Sequence, residues 1–201
     1  ILINGSNFID GLNSLLITYI SIVIYTLVKL NFVPEIINYQ NNLNYFLIFL
    51  IILMFLNFKN LLMLGDAGAY ILSFFTGYLI IKCHNFNTYV SPYFFITLIW
   101  YPCFENLFSI IRKLYLSLSP FTPDNNHLHQ LFFNLINTKI FKSKIVSNNL
   151  SSLIINFFNF IILYTAAINP YNTIYQIKLI SFSIACYILA FFLLKNKINK
   201  F

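Results

Sequence analysis

The chain has 201 residues, 59% of them hydrophobic and only 8% charged, with a net charge of +7 and a mean hydropathy of +0.78. A soluble domain carries about 25% charged residues, so a water-soluble fold is excluded and an integral membrane protein is indicated. The basic excess does not mark a nucleic-acid surface, because the bases sit at the ends of apolar runs, where they orient membrane helices.

A membrane-crossing helix needs about 20 mostly apolar residues. Lipid admits only helices or closed barrels, and the alternation of a barrel strand is missing. Six candidate spans follow, at about 12–31, 43–59, 67–83, 92–111, 150–169 and 174–194. The expected fold class is all-α, a polytopic membrane helix bundle forming a single integral domain. The one long polar connection, about 112–149, is read as a cytoplasmic loop carrying a short helix.

The chain opens on a polar stretch, Asn4, Asn7, Asp10 and Asn13. Steps of three residues drift by about 60° in a helix, so neighbours can share a site, but all four cannot lie on one unbroken face. Gly5 and Gly11 give latitude for a break. The plainer alternative is a polar loop, with Asp10 favoured by the N-terminus of the helix that follows. The absence of an initiating Met and of a signal peptide leads to the expectation that a further portion precedes Ile1.

Leu64-Gly65-Asp66-Ala67-Gly68 starts the third span. One carboxylate among small residues suits Mg²⁺, which takes one or two carboxylates plus substrate phosphates; Asp66 would equally serve as a helix cap. Deep in the fourth span, Glu105 is expected to pair with Arg112, seven residues on and on the same face. Arg112 and Lys113 are either interfacial anchors or contacts to a phosphate at the membrane surface.

Within SPFTPDNNHLH, Thr122 and Pro123 read as the N-cap and first position of a short helix running from about 123 to 137. Its free N–H groups would suit phosphate. Asp124, His127 and His129 lie there. Two imidazoles two residues apart point to different sides of a helix, so they need not share a ligand, and a zinc site has no third ligand of normal spacing. A solvated polar loop is the alternative. Cys83, Cys103 and Cys186 have no CxxC spacing and read as small core hydrophobes. The abundant Asn suggests compositional drift, which makes a lone Asn weak evidence.

Six spans fix a parity. With the Asp10 segment cytoplasmic, Lys59, Arg112, Lys113, Lys139, Lys142, Lys144, Lys195, Lys197 and Lys200 fall inside, and Lys29, Lys82 and Lys178 outside, as the positive-inside rule requires. The same parity puts Asp10, Asp66, Asp124, His127 and His129 on one cytoplasmic face, and His84 on the other.

Together, N-x-x-N-F-I-D-G-L-N, L-G-D-A-G, P-x-x-E-(six residues)-R-K and S-P-F-x-P-D-x-x-H-L-H resemble the polyprenyl-phosphate N-acetylhexosamine-1-phosphate transferases over about residues 4–130. The resemblance implies a multi-pass enzyme of the cell inner or plasma membrane that moves a sugar-1-phosphate from a UDP-N-acetylhexosamine to a polyprenyl phosphate such as undecaprenyl phosphate, releasing UMP for envelope glycan synthesis. It implies Mg²⁺, or Mn²⁺ in its place, with Asp66 as metal ligand and Asn7 beside it. Asp10 and Asn13 would line the nucleotide pocket. His127 and His129 would hold the pyrophosphate, with Asn4, Arg112 and Asp124 as further substrate contacts. A homodimer is an arrangement it permits.

Three departures stand out. Asn13 and Ser14 replace a common D-G, Gln130 replaces a common third histidine, and the family's upstream aspartate-rich motif is not in these 201 residues. The resemblance therefore covers the C-terminal half to two-thirds of such an enzyme. Two other readings stay open: an inactive remnant of the family, and an unrelated transporter or channel, whose polar groups would sit nearer the bilayer midplane.

Overall fold

A computed structural model describes residues 1–33, 39–117, 119 and 126–198. Its described elements are helices: α1 Leu2–Ile9, α2 Leu15–Lys29, α3 Tyr39–Phe58, α4 Gly65–Phe86, α5 Pro92–Leu98, α6 Trp100–Tyr115, α7 Leu128–Lys139, α8 Lys144–Ile168 and α9 Thr173–Ile198. No strand occurs among the described residues, in keeping with the all-α expectation.

Every predicted span is helical, but fewer qualify as membrane crossings by length and composition. Asn41–Phe58, Lys144–Ile168 and Thr173–Lys197 do, and α5 with α6 makes a fourth if the pair, bent by 74°, is one span. The 15-residue α2 is about 22 Å long, short of the roughly 30 Å of a hydrocarbon core. The 22-residue α4 carries Asp66, Lys82 and His84, which lower its hydropathy. The faces of α3, α8 and α9 turned away from the bundle remain strongly apolar, with Phe49, Ile52, Phe55, Phe157, Tyr164, Leu189 and Leu193 exposed. A belt of that extent belongs against lipid or a partner.

The bend between α5 and α6 has a local cause. Pro102 has no N–H to give the carbonyl of Leu98 four residues earlier. The buried Tyr19 hydroxyl of α2 donates to that carbonyl instead, at 2.9 Å. One proline thus breaks a helix and fastens it to its neighbour.

Polar clamps fix both ends of the bundle. At one end Asn87 Nδ2 donates to Phe32 O at 2.7 Å, Ser91 N–H to Pro170 O at 3.1 Å, and the Ser91 and Thr173 hydroxyls meet at 3.0 Å. At the other end lie the α1–α2 turn, the C-terminal ends of α3 and α6, and the N-terminal ends of α4, α7 and α8.

The polar connection is shorter and better packed than expected. Residues 112–115 belong to α6, and α8 begins at Lys144. Between them α7 seats Leu128, Leu131 and Ile136 in buried positions against α8 and α9. It starts at Leu128 rather than at 123, and Thr122 and Pro123 lie outside the described residues.

Close packing places α1. A Cβ on Gly5 would stand 1.9 Å from the Pro102 carbonyl oxygen, a backbone atom that cannot turn aside, whereas one on Gly77 would meet only the flexible tip of Leu2 at 3.3 Å. Gly5→Ala is therefore expected to destabilise the fold by about 1–3 kcal/mol, the usual range for overpacking, and Gly77→Ala by much less. Thermal unfolding of the two variants in detergent checks this.

Candidate functional site

The first two polar islands meet where α1 ends. Asp10 is the C-cap of α1, its N–H bonded to Asn7 O and Ser6 O, and the chain then turns through Ser14, in the left-handed region at φ 59°, into α2. The break that lets the four polar residues diverge thus falls at 10–14. Asp10 does not gain from the N-terminus of α2, as the loop alternative supposed. Its carboxyl instead accepts from the backbone N–H of Gly65, where α4 begins.

Asp66 lies exposed in the first turn of α4, whose N-cap residue is Leu64. Gly65 holds φ +66° with open space around it, so this glycine is required by backbone conformation rather than crowding. The Asp10 carboxyl is raised to about 7, chiefly by burial and then by the neighbouring Asp66 charge, with the Gly65 N–H pulling the other way. Two carboxyls that disfavour joint ionisation suit a hard divalent cation. Asn7 donates through Nδ2 to the Tyr70 hydroxyl at 2.8 Å, which leaves its amide oxygen as an acceptor. Among the described residues no three of His, Cys, Asp and Glu gather into a closed metal cage, so a cation on this pair would draw its remaining ligands from phosphate and water. Asn4 lies on the exposed side of α1.

The histidines lie on the other side of α1. His127 is not in α7 but caps it, with extended backbone at φ −83°, ψ 151°. That places its ring parallel to His129, 5.6 Å away and tilted by 14°, so the two imidazoles share one place where helical spacing would have separated them. Phe8 of α1 covers His127 at 5.0 Å. A Cβ on Gly11 would stand 2.8 Å from His129 Nε2, which explains that glycine. His129 is buried, and burial pushes its imidazole down to about 4, so it is neutral at pH 7. Neither of its ring nitrogens has a hydrogen-bond partner among the described residues.

Glu105 does not pair with Arg112. Its Oε1 faces His127 Nδ1 at 3.0 Å and accepts the Leu128 N–H at 3.4 Å. The N-terminus of α7 expected to receive phosphate is therefore taken by a carboxylate of the chain itself and by a capping box in which Gln130 Oε1 accepts the His127 N–H at 3.2 Å. Arg112 sits close to Phe108 and Phe191, at 5.9 and 5.3 Å, and donates to Asn126 O. Asp124 lies outside the described residues.

Asn13 is held in a cluster of amides. Its N–H donates to Asn148 Oδ1 at 2.6 Å, and its Nδ2 donates to Asn60 and, at 3.1 Å, to Asn149. Asn57 receives the Ser14 N–H and gives its own Nδ2 to Leu62 O at 2.8 Å. These asparagines tie the α1–α2 turn to the ends of α3 and α8. Composition hid them, because in an Asn-rich chain no single Asn stands out; their position at helix ends was the signal.

Beside the histidines, α6, α7, α8 and α9 enclose a cavity of about 220 Å³ with almost wholly apolar walls, among them Trp100, Leu128, Phe132, Phe158 and Tyr187.

The raised Asp10 carboxyl gives a pH signature. The unfolded chain loses this proton near 3.8 and the folded chain near 7, so its contribution to stability is full below the lower value and is lost as pH rises toward 7. Asp66→Asn removes one of the two raising causes and is expected to lower the Asp10 titration while leaving it above 3.8, as followed by the protonated carboxyl band in infrared spectra. Scans against family models, curated proteins and solved structures find nothing that matches this chain.

Proposed function

We propose that this chain carries the sugar-1-phosphate transfer site of a polytopic membrane enzyme, acting on a UDP-N-acetylhexosamine and a polyprenyl phosphate at the cytoplasmic face of the cell inner or plasma membrane. The observation that carries the reading is convergence. Phe8, Asp10 and Gly11, within four residues of one chain segment, meet His127, Gly65 and His129, which come from two distant parts of the sequence. An acid pair and an imidazole pair thus flank one turn.

In the proposed reaction a lipid-phosphate oxygen attacks the β-phosphorus of the UDP-sugar. A new P–O bond forms, the bond from that phosphorus to the bridging oxygen breaks, and UMP leaves with that oxygen. Asp66 and Asp10, with the Asn7 amide oxygen, would hold Mg²⁺, which neutralises phosphate charge when bound. His127 and His129, with Arg112, would meet the pyrophosphate in this reading. The apolar cavity beside Leu128 suits the isoprenoid chain of the acceptor, an oily occupant for an oily wall. The α2, α4 and α5–α6 segments complete a six-span bundle in this reading, and the bases at the acid-bearing end, Lys59, Lys139, Lys142, Lys144, Lys195 and Lys197, outnumber Lys29, Lys82 and Lys178 at the other, which favours a cytoplasmic site.

A second reading, an inactive remnant of the same family, draws on Asn13 and Gln130, both engaged in bonds within the fold. The test is Mg²⁺-dependent UMP release by the full gene product in membranes supplied with both substrates. Asp66→Asn is expected to lower the rate on the order of 100-fold. An unchanged rate removes Asp66 from the mechanism, and no UMP release from the wild type favours the remnant.

A further inference from the structure

Glu105 has no role in the site as described so far, and its surroundings are unusual. It is 1% exposed, in a helix whose outer face is apolar. Its Oε1 serves two groups, the His127 ring and the Leu128 N–H. Its Oε2 has no well-aligned hydrogen bond among the described residues, and the Tyr187 hydroxyl of α9 is the polar group facing the carboxylate. A buried carboxylate held this way is costly, and α7 has a second cap in Gln130, whose Oε1 accepts the His127 N–H.

The whole environment of His127 limits its freedom. Its backbone N–H goes to Gln130, and its carbonyl accepts Leu131 N–H at 3.0 Å. Its ring lies between Phe8 and His129. Two groups contend for the ring: the Gln130 N–H, which the capping box directs at the His127 side chain, and Glu105 Oε1, 3.0 Å from Nδ1. A carboxylate that also accepts from a backbone N–H acts as an acceptor, so the proton belongs on Nδ1 and Nε2 becomes the nitrogen available to a ligand. Imidazoles that must present one nitrogen are commonly oriented in this way, and loss of the orienting partner costs about 10–100-fold in function.

We propose that Glu105 is a positioning residue that holds the proton of His127 on Nδ1 and so presents Nε2 to the phosphate-bearing substrate. The role rests on the transferase reading for its substrate, but the proton assignment stands apart from activity.

The experiment is therefore in two parts. Nitrogen-15 spectra of histidine-labelled full-length protein in detergent should show His127 protonated at Nδ1 in the wild type. A neutral ring protonated at Nε2 overturns the proposal whatever the activity, and this arm needs no variant to fold. In UMP-release assays Glu105→Leu should lower kcat about 10–100-fold, Glu105→Gln, which keeps the acceptor, should restore most of it, and Glu105→Leu should add nothing in a His127→Ala background. Additive losses, or equal losses in the Leu and Gln variants at matched thermal stability, would show that Glu105 does not act through His127. Absence of UMP release in the wild type, with Nδ1 protonated, would overturn the transferase reading while leaving the assignment intact.

Discussion

Gly5 lets α1 lie directly on the Pro102 carbonyl, and the polar end of the molecule is assembled around that contact. α1 is only eight residues long and could not hold a place by itself. Seated on α6, it carries Asp10 to the start of α4 and Gly11 to His129. Pro102 acts twice: it brings the chain close enough to need a glycine opposite, and it frees the Leu98 carbonyl that Tyr19 then ties to α2. Without the glycine the acids and the imidazoles would belong to separate neighbourhoods.

The second constraint is the scarcity of water inside such a bundle. Polar groups there are satisfied by one another, as in the amide cluster around Asn13, or they stand ready for a ligand. His129, neutral and with both ring nitrogens unmatched among the described residues, and Asp10, whose titration burial and Asp66 raise to about 7, are of the second kind. Asp10 and Asp66 gain most from a bound cation, and a phosphate-bearing ligand would bring further oxygens to it.

Much of this was legible in the sequence, and the misses share a cause. Hydropathy located every long helix, because that signal is local. Helical periodicity failed at His127, which lies outside the helix that it caps, so two residues expected to diverge came to stack. It failed again at Glu105: seven residues of spacing favoured Arg112, yet His127, 22 residues away, has the better geometry. The amide cluster joins positions 13, 57, 60, 148 and 149, a set that no window along the chain connects. Gly5 and Gly11 were read as permitting a break; the break does fall around Gly11, at 10–14, and both glycines also permit close contact.

The central claim is that the acid pair and the imidazole pair form one site at one end of the bundle. The chain has three histidines, and His84 lies near the opposite end, at the C-terminal turn of α4, packed edge-on against Phe95. From Asp66 to His84 the helix rises about 27 Å. Paramagnetic Mn²⁺ added to isotope-labelled protein tests the claim directly. It should broaden the His127 and His129 ring signals strongly and spare His84, and Asp66→Asn should abolish the difference. Equal broadening of all three histidines, or loss of His84 first, would contradict the account.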